Sequence, residues 1–190
     1  MTKSSILVIS ASLRPGSYNS RLADIVAKRL QSQGGSVSLL NLEAYPLAIY
    51  DARIEAESIP TAAIALQAEF ARHDGIFIAT PEYNSGPPPL LVNMLDWVSR
   101  VTANGGMTAA FGRPVFALGA ASPGAFGGYR ALSVLRQMLE LGFAARVLPE
   151  MVSVPAAHEA FDETGELRNE RVNGILTGLA AKLLAATSEC

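Results

Sequence analysis

Short, continuous apolar runs alternate with amphipathic stretches along the chain. The runs are rich in β-branched residues, which is typical of strands that are buried on both faces of a parallel sheet. They predict strands at residues 6–9, 37–40, 75–80, 113–119 and 145–148, with 152–154 as an extension of the last. Apolar residues at helical spacing predict helices at residues 22–30, 61–72, 90–100, 131–139 and 172–183.

Strands and helices that alternate in this way predict an α/β fold, a parallel sheet with helices on both faces. Residues 42–60 contain Pro46 and Pro60 and show no clear period, which predicts a long loop. No internal repeat, linker or low-complexity run divides the 190 residues, so we expect a single domain over residues 1–190.

The loop after the first strand, residues 10–20, carries polar groups in place of a glycine fingerprint. Ligands of such sheets bind at the carboxyl ends of the strands. Ser12, Ser17 and Asn19 offer hydroxyl and amide groups, Arg14 offers a guanidinium, and the following helix adds free N–H groups. These donors suit a terminal phosphate group, which Arg14 would bind through two hydrogen bonds. The alternative is ordinary helix capping by Ser17 or Asn19, with Arg14 in solvent.

Two further loops are predicted to end at the same edge of the sheet. Residues 81–89 contain four prolines, which stiffen the backbone, so that the N–H groups of Glu82, Tyr83 and Asn84 would meet the edge of a flat ring. In residues 120–128, glycines allow the backbone to approach a ligand closely. Each loop has a plain alternative: the first is a rigid turn before a helix, and the second is a loose connection.

The side chains that protein-based catalysis would need are not grouped in the sequence. His73 precedes the amino end of a strand and His158 lies among prolines and alanines, so we expect both at the surface and no metal site. Glu43, near the end of the second strand, resembles an acid that binds a ribose, but the glycine fingerprint is missing and we expect it in solvent. We therefore expect no catalytic side chain and a cofactor that carries the chemistry.

The amino-acid composition argues against several classes of binding partner. With 49% hydrophobic residues, 17% charged residues and a net charge of −2, the chain is globular and has no basic cluster for nucleic acid. Cys190 is the only cysteine, which excludes an intrachain disulfide. The apolar start is too short for a signal peptide, and no apolar stretch reaches the roughly 18 residues that cross a membrane. We expect a cytoplasmic protein without membrane contact.

Three stretches taken together resemble the NADPH-dependent FMN reductase family, which includes chromate and quinone reductases and azoreductases. The stretches are Ser12-Leu13-Arg14-Pro15-Gly16-Ser17-Tyr18-Asn19, then Thr80-Pro81-Glu82-Tyr83-Asn84 with Asn93-x-x-Asp96-Trp97, then Gly127-Gly128-x-Arg130 with Leu135-Arg136-Gln137. The resemblance covers nearly the whole chain in matching order. Its most specific part is the Pro-Glu-Tyr-Asn loop combined with the Asn-x-x-Asp-Trp that follows.

The resemblance implies a flavodoxin-like three-layer fold, a five-stranded parallel sheet in the order 2-1-3-4-5, and non-covalently bound FMN. It implies an oxidoreductase that uses NADPH or NADH to reduce a small acceptor (a quinone, chromate, an azo compound or a flavin) in a ping-pong cycle. By motif position, the residues that bind FMN are Ser12, Arg14, Ser17, Tyr18, Asn19, Pro81, Glu82, Tyr83, Asn84, Ser122, Gly124 and Gly127. The alternative is a flavodoxin-type electron carrier without its own NAD(P)H activity. Flavodoxins are usually strongly acidic, and a net charge of only −2 argues against this alternative.

Two positions depart from the family pattern. Ala11 stands where the family has glycine, and its methyl group would crowd a turn that needs a positive φ. The segment after Asn84 reads Pro87-Pro88-Pro89-Leu90-Leu91-Val92-Asn93, without the glycine and the lysine just before the asparagine that the family often has. The lost charge and the stiffer segment change the wall of the acceptor pocket.

The resemblance also implies a homodimer or homotetramer with FMN sites close to the subunit interfaces. The helix predicted at residues 90–100 carries an apolar stripe that is wider than one core face needs, which favours a subunit interface over a deeply buried helix. The stripe consists of Leu90, Leu91, Met94, Leu95, Trp97, Val98 and Val101.

Overall fold

The apolar runs form one sheet of five parallel strands in the order β2-β1-β3-β4-β5. The computed structural model describes residues 3–188, so Cys190 lies outside the described residues. The strands are β1 (Ser5–Ser10), β2 (Ser36–Leu40), β3 (Gly75–Ala79), β4 (Val115–Ala121) and β5 (Arg146–Val154). The helices are α1 (Tyr18–Ser32), α2 (Ala52–Glu57), α3 (Thr61–Ala71), α4 (Pro89–Arg100), α5 (Tyr129–Gln137) and α6 (Glu170–Ser188). The predicted fold class and strand order are confirmed.

The three central strands of the sheet, β1, β3 and β4, are buried on both faces because helices cover each face. Along β1, Ile6 and Val8 point into the core that is shared with α1 and α6. Leu7 and Ile9 point to the opposite face and pack with α3, α4 and α5. This two-sided burial explains why the strands appear in the sequence as unbroken apolar runs. It also leaves the loops at the carboxyl ends of the strands as the natural place for a ligand.

The segment predicted as a long loop, residues 42–60, contains a 3-10 turn (Leu42–Ala44) and helix α2. No residue of α2 is buried, so the sequence carried no apolar period there. The segment is nevertheless fixed to α4. The Ala48 carbonyl accepts hydrogen bonds from Asn93 Nδ2 (3.0 Å) and Trp97 Nε1 (2.8 Å), and the Tyr50 N–H donates to Asn93 Oδ1 (2.7 Å).

This segment also gives the apolar stripe of α4 a partner within the chain. Trp97 is fully buried and packs with Ala63 and Val101, while Leu47, Tyr50 and Ile59 cover this cluster from the loop side. Except for Leu90, which is partly exposed, the stripe residues are all buried in a single chain. The interpretation of the stripe as a subunit interface was therefore wrong, and the alternative of a deeply buried helix is the one observed.

Strand β5 runs without a break from Arg146 to Val154, so the predicted extension is part of the strand. Pro149, which cannot donate to a ladder, is tolerated because β5 is an edge strand and its register against β4 shifts between Phe116 and Leu118. Arg136 supports the shift, since its guanidinium donates to the carbonyl oxygens of Val147, Leu148 and Pro149. The family's Leu-Arg-Gln motif thus has a structural task in this chain.

The two histidines differ in exposure. His158 lies at the surface as expected, but His73 is only 4% exposed, so its predicted surface position was wrong. His73 closes the end of α3, where its Nδ1 is 2.6 Å from the Glu69 carbonyl oxygen. No group of three or more potential metal ligands occurs within residues 3–188. None of the described helices is both long enough and apolar enough to span a membrane.

Candidate functional site

The three predicted loops meet in one cleft at the carboxyl edge of the sheet. Its walls come from the loop after β1, the loop after β3 and the loop after β4, which we call the first, second and third loops. The lining residues are Ser12, Arg14, Ser17, Tyr18, Asn19, Pro81, Glu82, Tyr83, Ala121, Ser122 and Pro123. Among the predicted binding residues, Asn84, Gly124 and Gly127 lie outside this lining.

The first loop leaves several hydrogen-bond donors unused by the protein. Ser17 caps α1, with its hydroxyl accepting from the Asn19 N–H at 3.2 Å. The N–H groups of Tyr18 and Ser20, in the first turn of α1, have no partner among the described residues. Arg14 is exposed, lies 5.6 Å from the centre of the Tyr18 ring, and has no carboxylate partner within residues 3–188. A free cation therefore stands beside the positive end of a helix.

Asn19 is buried and its amide is fully engaged. Its Nδ2 donates to the Ala121 carbonyl (3.0 Å), and its Oδ1 accepts from the Ala121 N–H (2.8 Å). The side chain thus joins the start of α1 to the end of β4, where the third loop begins. The sequence predicted Asn19 as a phosphate ligand, but the amide contacts show a residue that positions the first loop against the third.

The alanine that replaces the family's glycine causes no strain. Ala11 is buried and is not among the described residues with a positive φ. Its N–H donates to the Ala79 carbonyl at 2.8 Å, which continues the pairing of β1 with β3. The expected crowding at this position does not occur.

The second loop contains a tight two-residue turn. The Tyr83 N–H donates to the Gly86 carbonyl (2.9 Å) and the Gly86 N–H donates back to the Tyr83 carbonyl (3.0 Å). Asn84 and Ser85, between them, both have positive φ, which this turn type requires. The Tyr83 N–H is therefore not available to a ligand, whereas the N–H groups of Glu82 and Asn84 have no partner among the described residues.

An ion pair ties the second loop to the start of α5, directly after the third loop. The Glu82 carboxylate accepts from Arg130 Nε at 2.7 Å and from Arg130 Nη2, and its second oxygen lies 3.4 Å from the Ala131 N–H at the start of α5. The Glu82 side chain is only 7% exposed. Arg130 belongs to one of the family motifs, but the sequence predicts no role for it, because no local pattern links it to Glu82, 48 positions away.

The glycines of the third loop serve packing more than ligand approach. A Cβ at Gly127 would lie 2.5 Å from Ser153 Oγ and 2.6 Å from the Pro155 nitrogen, and one at Gly128 would lie 2.5 Å from the Ala120 Cβ. Both residues also have positive φ. Gly124 differs, because a Cβ there would meet only Ser122 Oγ at 3.8 Å. Of these three glycines, Gly124 is the one that leaves room beside the cleft.

The charges and rings of the cleft match the parts of FMN. Glu82 and Arg130 neutralise each other, which leaves Arg14 as the unpaired charge beside the free N–H groups, as a phosphate dianion requires. The half-exposed ring of Tyr83 lines the cleft, and beyond the lining the exposed rings of Phe126 and Tyr129 lie on the third loop and at the start of α5, with the Arg130 guanidinium 5.2 Å from the Phe126 ring. The residues present therefore fit a ligand with one terminal phosphate and one flat ring.

A parallel sheet in this order is typical of flavodoxin-like nucleotide-binding proteins, and the loop after its first strand carries free hydrogen-bond donors that suit a phosphate. The sequence profile of the family described as NADPH-dependent FMN reductase matches residues 4–159. The chain belongs to this family, which confirms the resemblance that the motifs indicated.

Individual relatives agree with this assignment. A quinone reductase of Pseudomonas putida is 34% identical over 167 residues, which cover 87% of this chain and 86% of the relative. An NAD(P)H-dependent FMN reductase of Pseudomonas aeruginosa is 33% identical over 171 residues, covering 90% and 88%. The solved structure of FerB, a flavoenzyme NAD(P)H:(acceptor) oxidoreductase from Paracoccus denitrificans, superposes with a TM-score of 0.79 at 23% identity over 98% of both chains, and so shares the fold.

Family membership settles the class of activity. The protein is an oxidoreductase that works with FMN and a nicotinamide nucleotide, as the sequence predicted. The alternative of an electron carrier without NAD(P)H activity finds no support, because the relatives are reductases.

Proposed function

We propose that the protein binds FMN in the three-loop cleft and transfers reducing equivalents from NAD(P)H to a neutral ring compound of the quinone class. The observation that carries this proposal is the group of unused donors on the first loop, with Arg14 as the free cation. This group lines the same cleft as the half-exposed ring of Tyr83 on the second loop.

The phosphate of FMN is assigned to the first loop. Arg14 binds it through its guanidinium, the hydroxyls of Ser12 and Ser17 donate to it, and the free Tyr18 N–H contributes the positive end of α1. Asn19 acts indirectly, since its amide holds the first loop against Ala121.

The flavin ring is assigned to the second and third loops. Pro81 gives the second loop a stiff start, and the free N–H groups of Glu82 and Asn84 are donors for the polar edge of the ring. Tyr83 packs beside the ring, while Ser122 and Gly124 border its other side. Gly127 supports this border through its packing on β5.

The bound FMN supplies the redox chemistry, accepting hydride from NAD(P)H and passing electrons to the acceptor. The chain itself orients the ring, keeps water from the covered face, and places N–H donors where negative charge develops on reduction. The Glu82–Arg130 pair fixes the distance between the two loops that do this. We assign no side chain as a general acid or base.

The acceptor is assigned to the quinones because the rim of the cleft is apolar. Tyr83 of the lining is half-exposed, Phe126 on the third loop and Tyr129 at the start of α5 are exposed, and Val92 stands where the family often has a lysine. Among the described residues that line the cleft, Arg14 is the only unpaired cation, and the FMN phosphate uses it. An anionic acceptor such as chromate would therefore find no partner charge. The names of the quinone reductase relatives support the same choice.

We further propose a homodimer or homotetramer that acts in the cytoplasm, where NAD(P)H is supplied. Support for the assembly comes from the family resemblance and from the exposed rings of Tyr83, Phe126 and Tyr129, since aromatic residues are enriched at contact surfaces. Sedimentation of the FMN-loaded protein measures its mass, and a monomer at micromolar concentration would contradict the assembly.

The test of the proposed function is a purified, FMN-loaded protein. We expect flavin absorbance that stays with the protein through gel filtration, and NAD(P)H oxidation that depends on added 1,4-benzoquinone. Double-reciprocal plots against both substrates should be parallel, because the two substrates use the same face in turn. A chromate rate equal to the quinone rate would refute the acceptor assignment, and NAD(P)H oxidation at background would refute the function.

A further inference from the structure

A second cavity, of about 320 Å³, opens at the same edge of the sheet. It lies between residues 42–47, α3 and the first half of α4, and Leu13 of the first loop forms part of its wall. Its size is within the range of small-molecule sites in proteins. The cleft assigned to FMN does not use it.

The walls of this cavity are fixed before any ligand arrives. At one end of residues 42–47, the Glu43 N–H donates to Asn41 Oδ1 at 3.0 Å. Just beyond the other end, Ala48 is held by Asn93 and Trp97 of α4. A pocket whose walls are hydrogen-bonded in this way loses little entropy when a ligand binds.

The lining is mostly apolar, and its polar members are Glu43, Tyr45 and Asn93. Its aliphatic part includes Leu13, Leu42, Leu47, Leu66, Leu90 and Met94. Glu43 is the one charged residue among the described lining residues, and it is exposed at the rim. Tyr45 adds a ring whose hydroxyl has no hydrogen bond within residues 3–188. Such a site accepts a ring compound that carries neighbouring hydroxyl groups, and a rim carboxylate repels a phosphate.

The first loop connects this cavity to the cleft. Leu13 faces the cavity, while its neighbours Ser12 and Arg14 line the cleft. A molecule with a ring at each end can therefore reach both places around one loop. The co-substrate of this protein is such a molecule, since NAD(P)H has a nicotinamide at one end and an adenosine at the other.

We propose that this cavity binds the adenosine end of the nicotinamide nucleotide and that Glu43 makes the enzyme prefer NADH to NADPH. This inference rests on the proposed function. The adenine packs among the leucines and Met94, and the Glu43 carboxylate accepts hydrogen bonds from the ribose hydroxyls. An acid at the end of a second strand does the same in dinucleotide-binding folds of another type. In NADPH, the 2′-phosphate would replace one of these hydroxyls and face the carboxylate without a compensating cation in the lining.

The test compares kcat/KM for NADH and NADPH with 1,4-benzoquinone as acceptor in four proteins. We expect a preference for NADH of about tenfold or more in the unaltered protein, since like charges in direct contact are strongly disfavoured. Glu43→Gln should bring the ratio to within about threefold of one, and Glu43→Arg should reverse the preference. Glu163→Gln, which removes an exposed carboxylate outside both sites, is the matched control and should keep the original ratio.

A binding measurement separates this inference from the proposed function. Calorimetric titration of the FMN-loaded protein with ADP-ribose and with its 2′-phosphorylated form tests the cavity without any turnover. Tighter binding of ADP-ribose that is lost in Glu43→Gln supports the inference even if no acceptor is reduced. Equal binding of the two compounds, or competition of ADP-ribose by benzoquinone but not by adenosine, would overturn it while quinone reduction stands.

Discussion

The first and third loops of the cleft both contain small and polar residues but use them in opposite ways. Residues 10–20 contain four serines, one glycine and one proline, whereas residues 120–128 contain three glycines, one serine and one proline. In the first loop, the Arg14 guanidinium and the Tyr18 N–H have no hydrogen-bond partner among the described residues, and the guanidinium lies 5.6 Å from the centre of the Tyr18 ring. In the third, a Cβ at Gly127 would clash with Ser153 and Pro155, and one at Gly128 would clash with Ala120. A polar or glycine-rich loop thus marks a ligand only where folding leaves its groups unused.

The same contrast exists within the first loop, five positions apart. Arg14 is exposed and has no carboxylate partner among the described residues, whereas Asn19 is buried and gives both ends of its amide to Ala121. Motif matching gives the two residues the same role. Their hydrogen bonds indicate that Arg14 is free to bind a ligand and that Asn19 positions the loop. The following variants test these two roles.

The largest effect is expected for Gly128→Ala, which tests the packing role of the third loop. The new Cβ would lie 2.5 Å from the Ala120 Cβ in a backbone with φ of +88°. Overpacking and the left-handed backbone together should lower the free energy of unfolding by about 4 kcal/mol. Urea denaturation followed by circular dichroism measures the loss. Gly124→Ala is the control and should change stability by less than about 1 kcal/mol, since its φ is not positive and its surroundings are open.

Asn19→Ala is expected to have the next largest effect. It removes both hydrogen bonds to Ala121 and leaves a buried N–H and a buried carbonyl without partners. We expect the apoprotein to lose about 3 kcal/mol of unfolding free energy. Asn173→Ala, which removes one longer hydrogen bond from Arg29 on a partly exposed surface, should cost less than about 1 kcal/mol. Equal losses in the two variants would contradict a positioning role for Asn19.

Arg14→Ala should show the opposite pattern, with little change in stability and a large change in binding. Loss of the charge-assisted hydrogen bonds to the phosphate should weaken FMN about 30-fold, as measured by quenching of flavin fluorescence. The apoprotein should unfold at the same urea concentration, because the guanidinium has no carboxylate partner within residues 3–188. Arg113→Ala removes an exposed arginine at the amino end of β4, the opposite edge of the sheet, and should leave FMN affinity unchanged. Equal affinity in the two variants would remove Arg14 from the phosphate site.

The fold was predictable because its three central strands are buried on both faces, so that each of these strands is a visible apolar run. The order 2-1-3-4-5 came from the family resemblance, and the parallel arrangement came from the alternation of strands with helices. The predictions that failed concern elements whose sequence has no periodic apolar pattern. Helix α2 buries none of its residues, and Pro149 interrupts β5 in sequence but not in structure.

The location of the site was also predictable, since loops after parallel strands share one edge. The roles of individual residues were not, because they depend on contacts between distant positions. The Glu82–Arg130 pair and the Asn19–Ala121 pair join residues that no local pattern links. The α4 stripe was misassigned for the same reason, since the segment that covers Trp97 carries no apolar period of its own.

The smallest effect is expected at Asp96, which stands between the two engaged residues of the Asn-x-x-Asp-Trp motif. Burial raises the pKa of the Asp96 carboxyl above its ordinary value, and the nearby Arg100 offsets this only in part. The Asp96 carboxylate has no hydrogen bond among the described residues, so in this respect it is like Arg14 and unlike its motif neighbours Asn93 and Trp97.

A pKa that is raised on folding means that Asp96 favours the native state when it is protonated. This contribution is fully present below the unfolded pKa of about 4 and is lost as the pH rises through the folded value. We therefore expect Asp96→Asn to be slightly more stable than the unaltered protein at neutral pH, and the difference to disappear at acidic pH. Urea unfolding at both pH values measures it. A gain that is equal at the two pH values would show that the charge of Asp96 is not its cause, and a loss at neutral pH would show that the folded chain uses this charge as it uses the amide of Asn93.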